Sequence, residues 1–292
     1  MRVLVTGGAG FIGSNLIEQL ILSTKYRIIS IDNYSSGLIK NHIKNKRVKY
    51  LEGNTNNIAT LLKNYTVKIH TIFHFGEFAR IFQSFKKISE CFNSNIEGSS
   101  NVFNFALKNK IKLIYSATSA SLGNKGKDMN LSPYAFSKAK NLELLENFRK
   151  WFGFRYEVVY FYNVYGDKQI CKGDMATVVG IFEDHFKMGK KLPVVKPGTQ
   201  VRRFTHVHDT IKACIFAWKK NKCKHYSIAS KQSFSIIELA KLFKSKIRYL
   251  PKRKGERFAS ALTNMNLNNK IVRLSAKIQL KDYVSNFLTN NR

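Results

Sequence analysis

The chain has 292 residues, 44% of them hydrophobic, enough to close a full core around one large α/β unit or a large unit carrying a smaller one, which excludes a disordered chain. No run reaches eighteen uninterrupted apolar residues, so a membrane span is excluded as well. Fifty Lys plus Arg against 18 Asp plus Glu give a formal charge of +32 and an attraction for polyanions. The basic residues are nevertheless spread along the chain among Asn, Ile, Phe and Tyr, with no RNP or KH signature, so an acidic small-molecule ligand is expected ahead of nucleic acid.

RVLVT, Arg2 to Thr6, has the β-branched character of a buried parallel strand. It starts without a charged, then apolar, export leader, so a cytoplasmic location is expected. GGAGFIGSNLIEQLIL follows at once, giving the order strand, glycine turn, helix. Gly7, Gly10 and Gly13 form G-x-x-G-x-x-G: the first permits the tight turn, the second lets a pyrophosphate approach the backbone, and the third lets the helix lie close on the strand. The amides near Phe11 and Ile12 would then hold the phosphates. A second strand, YRIISID, ends in Asp32, placed to accept hydrogen bonds from an adenosine ribose; an acid there favours NAD over NADP. A phosphate-loop NTPase needs Gly-Lys-Ser/Thr, and Gly13-Ser14-Asn15 lacks the lysine.

Further strands are expected at 48–51, 70–74, 111–116 and 156–161, separated by lengths that suit crossover helices, as in a parallel, doubly wound sheet of Rossmann type. Residues 95–109 carry apolar side chains at helical spacing. A clearer helix has Ser132 as its N-cap, Pro133 in its first turn and Gly153 as its stop. On it Tyr134 and Lys138 share one face, one turn apart; an ammonium beside a phenol stabilises the phenolate and makes the tyrosine a useful base. Cys91, Cys171, Cys214 and Cys223 have no metal-ligand spacing and are expected to be reduced thiols, with no metal site. Glu77, in HFGEF, is the acid nearest a cofactor-facing loop and is expected to serve local structure rather than acid catalysis.

TGGAGFIGSN, with Asp32-Asn33 and Gly37, resembles the extended short-chain dehydrogenase/reductase family of NAD-dependent nucleotide-sugar epimerases and dehydratases. The resemblance recurs in IFHFG, NIEGSSNVF, SATSASLG, SPYAFSK, YFYNVYG, GTQVRRFTHVHD and PKRKGERF. It implies a Rossmann domain over 1–166, to which 203–229 return, and a smaller C-terminal substrate-binding domain from 167–202 and 230–292. It implies Tyr134 and Lys138 as catalytic residues, joined by Thr118, selected by counting back from Gly123, with Ser116 the alternative if the register slips. Asn95 matches the family's structural asparagine, against the simpler reading of a helix cap.

Around NAD the resemblance adds Asn33, Gly37, Asn54, Thr55, Phe75, Gly76 and Tyr162. Around the nucleotide-sugar it adds Asn163, Thr177, Phe204 and two arginines for the diphosphate, Arg202 and Arg257. The chain departs from the family pattern at Leu122, where a tyrosine is usual, at Arg203, where an aspartate is usual, and at Asn54, whose side-chain oxygen replaces an acid. In the family, dehydratases carry Asp-Glu directly after the threonine and decarboxylases a Glu two positions after it; here Ser119 and Ala120 stand there, and neither is a general acid or base. The expected enzyme is therefore a 4-epimerase of a UDP-hexose, serving polysaccharide synthesis as a homodimer. A deoxysugar dehydratase or reductase is the second reading, and a non-catalytic RNA- or NAD-binding member the third.

Overall fold

The computed structural model describes residues 1–65, 68–120, 129–255 and 271–291. The first half alternates strictly: β1 (Arg2–Thr6), α1 (Phe11–Ser23), β2 (Arg27–Asp32), β3 (Val48–Glu52), α2 (Ile58–Leu61), β4 (Ile69–His74), α3 (Ile81–Lys86), α4 (Ile88–Phe92), α5 (Ser99–Lys108), β5 (Lys112–Thr118), α6 (Pro133–Phe152) and β6 (Tyr156–Phe161). The second half is more broken: β7 (Val164–Tyr165), α7 (Val178–Lys187), β8 (Leu192–Val195), β9 (Val201–Arg202), β10 (Thr205–His206), α8 (Val207–Lys220), β11 (His225–Ala229), β12 (Phe234–Ser235), α9 (Ile236–Leu242), β13 (Ile247–Leu250), β14 (Ile271–Ser275) and α10 (Leu280–Thr289).

Eight strands form one sheet in the order β14-β11-β6-β5-β4-β1-β2-β3, and every pairing in it is parallel. The chain winds outward from β1 in both directions, the Rossmann order, which leaves a crevice beyond the carboxyl ends of β1 and β4 where the winding reverses. Helices bury both faces, so the strands read as apolar runs. Leu4, Ile72, Leu113 and Tyr156 belong to the core under α5 and α6, while Val3, Val5, Ile114 and Val159 pack with Leu16, Ile17, Ile211 and Cys214 of α1 and α8. A third core, with Phe182, Leu192, Phe204, Leu239, Phe243 and Leu280, gathers α7, α9 and α10 with β8.

The structure differs from the sequence reading around Asn95. The segment Asn93–Gly98 is a π-helical turn leading into α5, and Asn95 caps no helix. Such a turn advances the backbone by an extra residue and re-aims a side chain, here inward.

Candidate active site

The glycine turn after β1 is built by close approach. Gly7 has φ +71°, and a Cβ on it would stand 2.8 Å from the backbone nitrogen of Gly76, two residues past the end of the neighbouring strand β4. A Cβ on Gly13 would stand 2.1 Å from the Gly7 carbonyl, so α1 lies directly on the turn. Gly10, the N-cap of α1, meets only the Gly7 carbonyl within reach. No side chain caps α1 and no acid lies in its first turn, so the amides at Phe11 and Ile12 face a space suited to an anion.

Asp32 closes β2 beside that space. Its Oδ2 accepts from the Ala9 amide at 2.9 Å and its Oδ1 from the Tyr34 amide at 2.9 Å. Burial raises its pKa against the lowering by these amides. Gly37 lies against the carboxylate, where a Cβ would be 2.7 Å from Oδ1. Exposed Asn33 donates to Asn54 Oδ1 at 2.7 Å, and Thr55 is buried next to them. Phe75 packs edge-on against Phe161, and the Phe75 and Gly76 amides both donate to Thr6 Oγ1. These residues fit a dinucleotide: free helix amides for phosphates, a carboxylate for a diol, and no side chain at the crossing of β1 and β4. Tyr162 lies deeper, within the core under α6, with its hydroxyl accepting from Ser227 Oγ at 3.0 Å.

The hydroxyl cluster after β4 and β5 is divided by geometry. Ser116 Oγ donates to the His74 carbonyl at 2.9 Å, tying β5 to β4. Thr118, the last residue of β5, accepts from the Ala120 amide at 3.1 Å. Helix α6 starts as its sequence dictates, with Ser132 Oγ accepting from Ala135, proline following, and Gly153 at φ 64° closing it. Tyr134 and Lys138 are both buried on it, and the Tyr134 amide donates to Ser84 Oγ at 3.2 Å. The Tyr134 phenol and the Arg80 guanidinium are close enough to interact electrostatically.

Asn95 is fully buried and grips the loop after β4: its Oδ1 accepts from the Phe78 amide at 2.7 Å, and its Nδ2 donates to the Phe78 carbonyl at 3.0 Å and to Ser137 Oγ at 3.1 Å. Its own carbonyl accepts from Asn141 at 2.6 Å. Asn95 thus clamps loop and α6 together.

Sequence reasoning gave Glu77 a role in local structure but missed its pairing with Lys138, and it missed Arg80 altogether. Glu77 forms an ion pair with Lys138 and accepts hydrogen bonds from Ser99, Tyr115 and Asn141. Arg80 donates to the Ala79 carbonyl at 2.8 Å and to the Met175 carbonyl, while its Nε is buried without a partner. No local pattern reveals either contact, since the partners meet only in three dimensions; an acid and an arginine flanking an apolar loop were the available signal.

On the second-half side, Asn163, at φ 36°, donates to the Arg203 carbonyl at 2.8 Å. Arg202 is buried in β9 and donates to the Val201 carbonyl at 2.9 Å. Arg203 turns away to donate to the Ser230 carbonyl at 2.7 Å and the Lys231 carbonyl at 3.1 Å. Thr177 caps α7, accepting from Gly180 at 3.0 Å and donating to Gln169 at 2.7 Å, and Phe204 is in the third core. Arg257, Leu122 and Gly123 lie outside the described residues. Among the described residues no group of His, Cys, Asp and Glu is arranged to hold a metal ion, and no helix is long and apolar enough to cross a membrane.

Residues 3–229 match the model of the NAD dependent epimerase/dehydratase family. An ADP-L-glycero-D-manno-heptose-6-epimerase of Brachyspira hyodysenteriae is 27% identical over 263 residues, 83% of this chain and 80% of the relative. UDP-glucuronic acid decarboxylase 6 of Arabidopsis thaliana is 26% identical over 265 residues, 85% of this chain and 75% of the relative. The crystal structure of a UDP-glucose 4-epimerase with UDP-glucose from Thermotoga maritima superposes with a TM-score of 0.86 at 27% identity, covering 99% of this chain and 98% of that one.

Proposed function

The chain belongs to the NAD dependent epimerase/dehydratase family, and on that premise we propose that it is an NAD-dependent epimerase acting at C4 of a UDP-hexose. Bound NAD supplies a reversible hydride acceptor. Gly7, Gly10, Gly13 and the first turn of α1 hold its diphosphate, and Asp32 its adenosine ribose, with Asn33, Gly37, Asn54 and Thr55 around the adenine end. Phe75, Gly76 and Tyr162 border the nicotinamide side, where Lys138 reaches from α6. Tyr134 takes the proton of the sugar hydroxyl and later returns it, while Thr118 hydrogen-bonds the same oxygen. Asn95 keeps the loop and α6 in register. Asn163, Arg202 and Arg257 receive the nucleotide diphosphate, the arginines as cationic forks, with Phe204 by the nucleotide and Thr177 on the substrate side.

One observation carries epimerisation over elimination or decarboxylation. The positions after Thr118 are occupied by Ser119 and Ala120, both buried, and the carboxylate of the loop after β4, Glu77, is committed to four donors of the protein itself. A keto sugar formed here lacks a proton shuttle from those positions for its neighbouring carbons, and its outlet is hydride return to the other face.

The purified protein is expected to interconvert UDP-glucose and UDP-galactose without added NAD, as read by chromatography of the sugar products. Tyr134→Phe, which removes the base and keeps the ring, should lower kcat by about 10²–10⁴-fold. Absence of turnover with every UDP-, GDP- and TDP-hexose would sink the reading, and solvent deuterium appearing at C5 would transfer the enzyme to the dehydratases. A homodimer is part of the same proposal, with the outer face of α6, where Phe136 remains exposed, as its surface and polysaccharide synthesis as its setting.

A further inference from the structure

The Glu77 carboxylate and the Lys138 ammonium are separated by 61 positions and have side chains only 2% and 4% exposed. Lys138 Nζ lies between Glu77 Oε2 and the Ser116 carbonyl, the latter at 2.5 Å, and over the Tyr115 ring at 4.6 Å from its centroid. Glu77 Oε1 faces Ser99 Oγ at 2.9 Å, the Tyr115 hydroxyl at 3.0 Å and Asn141 Nδ2 at 3.2 Å.

The proton order of this cluster can be derived. Thr6 Oγ1 accepts from two amides, so its own proton goes to His74 Nδ1 at 2.7 Å. His74 then carries its proton on Nε2 and donates it to Ser99 Oγ at 3.0 Å, which leaves the Ser99 proton for Glu77. The Ser99 proton is thus directed at Glu77 Oε1, where the Tyr115 hydroxyl also donates.

We propose that Glu77 is a positioning residue: the buried counter-ion that fixes Lys138 Nζ against the Ser116 carbonyl and the Tyr115 ring, one helical turn from Tyr134, itself held from the cofactor loop through the chain Thr6, His74, Ser99. The proposal rests on the reading that Lys138 serves the reaction. The other titratable groups around Lys138 cannot replace this charge. Burial pushes His74 down to about 4 and leaves it neutral, pushes the Cys91 thiol up to about 11, and holds the Tyr115 phenol well above its ordinary range. Tyr134 is the group to be activated, and Arg80 on its other side is a second cation. Burial alone drives the Lys138 pKa down, and the charge and hydrogen bond of Glu77 oppose it.

The test is Glu77→Gln, which keeps shape and acceptor and removes charge. With lysine carrying carbon-13 at Cε, the Lys138 resonance should titrate at lower pH in E77Q than in the wild type. The alkaline limb of kcat should move to lower pH with it, KM should hold, and kcat at neutral pH should fall by on the order of 10²-fold. Glu77→Asp should restore part of both shifts. Coinciding Lys138 titrations in folded wild type and E77Q overturn the proposal. If E77Q alone does not fold, the double variant Glu77→Gln with Lys138→Met, which lacks both charges, should recover the fold; failure to recover it also overturns the pairing. The resonance requires no turnover, so an absence of epimerase activity would strike the functional reading and leave this one to its own result.

Discussion

His74 shows how a single residue can set the acid limit of the fold. It is fully buried, bonded through both ring nitrogens to Thr6 and Ser99, and its pKa is lowered by burial to about 4. The unfolded chain takes up this proton near the ordinary histidine value of 6.5 and the native state does not until about 4. The contribution of His74 to stability is therefore fully present above pH 6.5 and is lost as pH falls towards 4, a loss of about 3 kcal/mol from this group. Urea unfolding at a series of pH values should show that slope, and His74→Asn, which can keep one acceptor and one donor, should flatten it. Equal slopes in both proteins would place the acid sensitivity elsewhere.

At the level of elements, the parallel strands were legible because strands buried on both faces must be apolar, and β1, β2, β4, β5 and β6 read largely as such runs bounded by glycine, polar turns or charge, while the edge strand β3 is only half-buried. Helix α6 was legible from Ser132, Pro133 and Gly153, all three of which act as their chemistry demands. The second half was less so: β7, β9, β10 and β12 are two residues long, too short for any period to show. Within the site, glycine spacing, Asp32 and the Tyr134-Lys138 face could be read locally, whereas the Glu77-Lys138 pair and the inward turn of Asn95 are tertiary facts. The crossing of β1 and β4 gives the sharpest element-scale expectation. Gly7→Ala places a methyl at positive φ against the Gly76 backbone, costing at least about 1–3 kcal/mol and parting the two strand ends. Chemical denaturation should register the cost and titration with NAD a weakened affinity; unchanged values of both would refute the role given to this contact.

At the scale of the whole molecule, a formal +32 on 292 residues means that basic side chains far outnumber acids available to pair with them. Some of the acid that exists is turned inward: Glu157 is fully buried, bonded to the Cys223 and Lys224 amides at 3.0 and 2.9 Å and paired with Lys112 at 3.3 Å. Cationic self-repulsion at the surface should then oppose compaction and be screened by salt, whose Debye length falls from about 30 Å at 0.01 M to about 8 Å at 0.15 M. The Tm is expected to rise over that range of sodium chloride; a Tm that stays level or falls would show that the charge is compensated locally.

The sheet order also carries a timetable. Strand β6 is flanked by β5 on one side and by β11 on the other, and β11 in turn by β14, which begins at Ile271. A ribosome delivers residues in order, so β6 emerges with one edge satisfied and the other bare until His225–Ala229 arrives. Throughout that interval a strand with buried Val158, Val159 and Tyr160 presents unpaired amides and carbonyls to solvent. The nascent chain is thus most exposed to misassociation while residues 162–224 are being made, and a chaperone that holds it would have its work in that window.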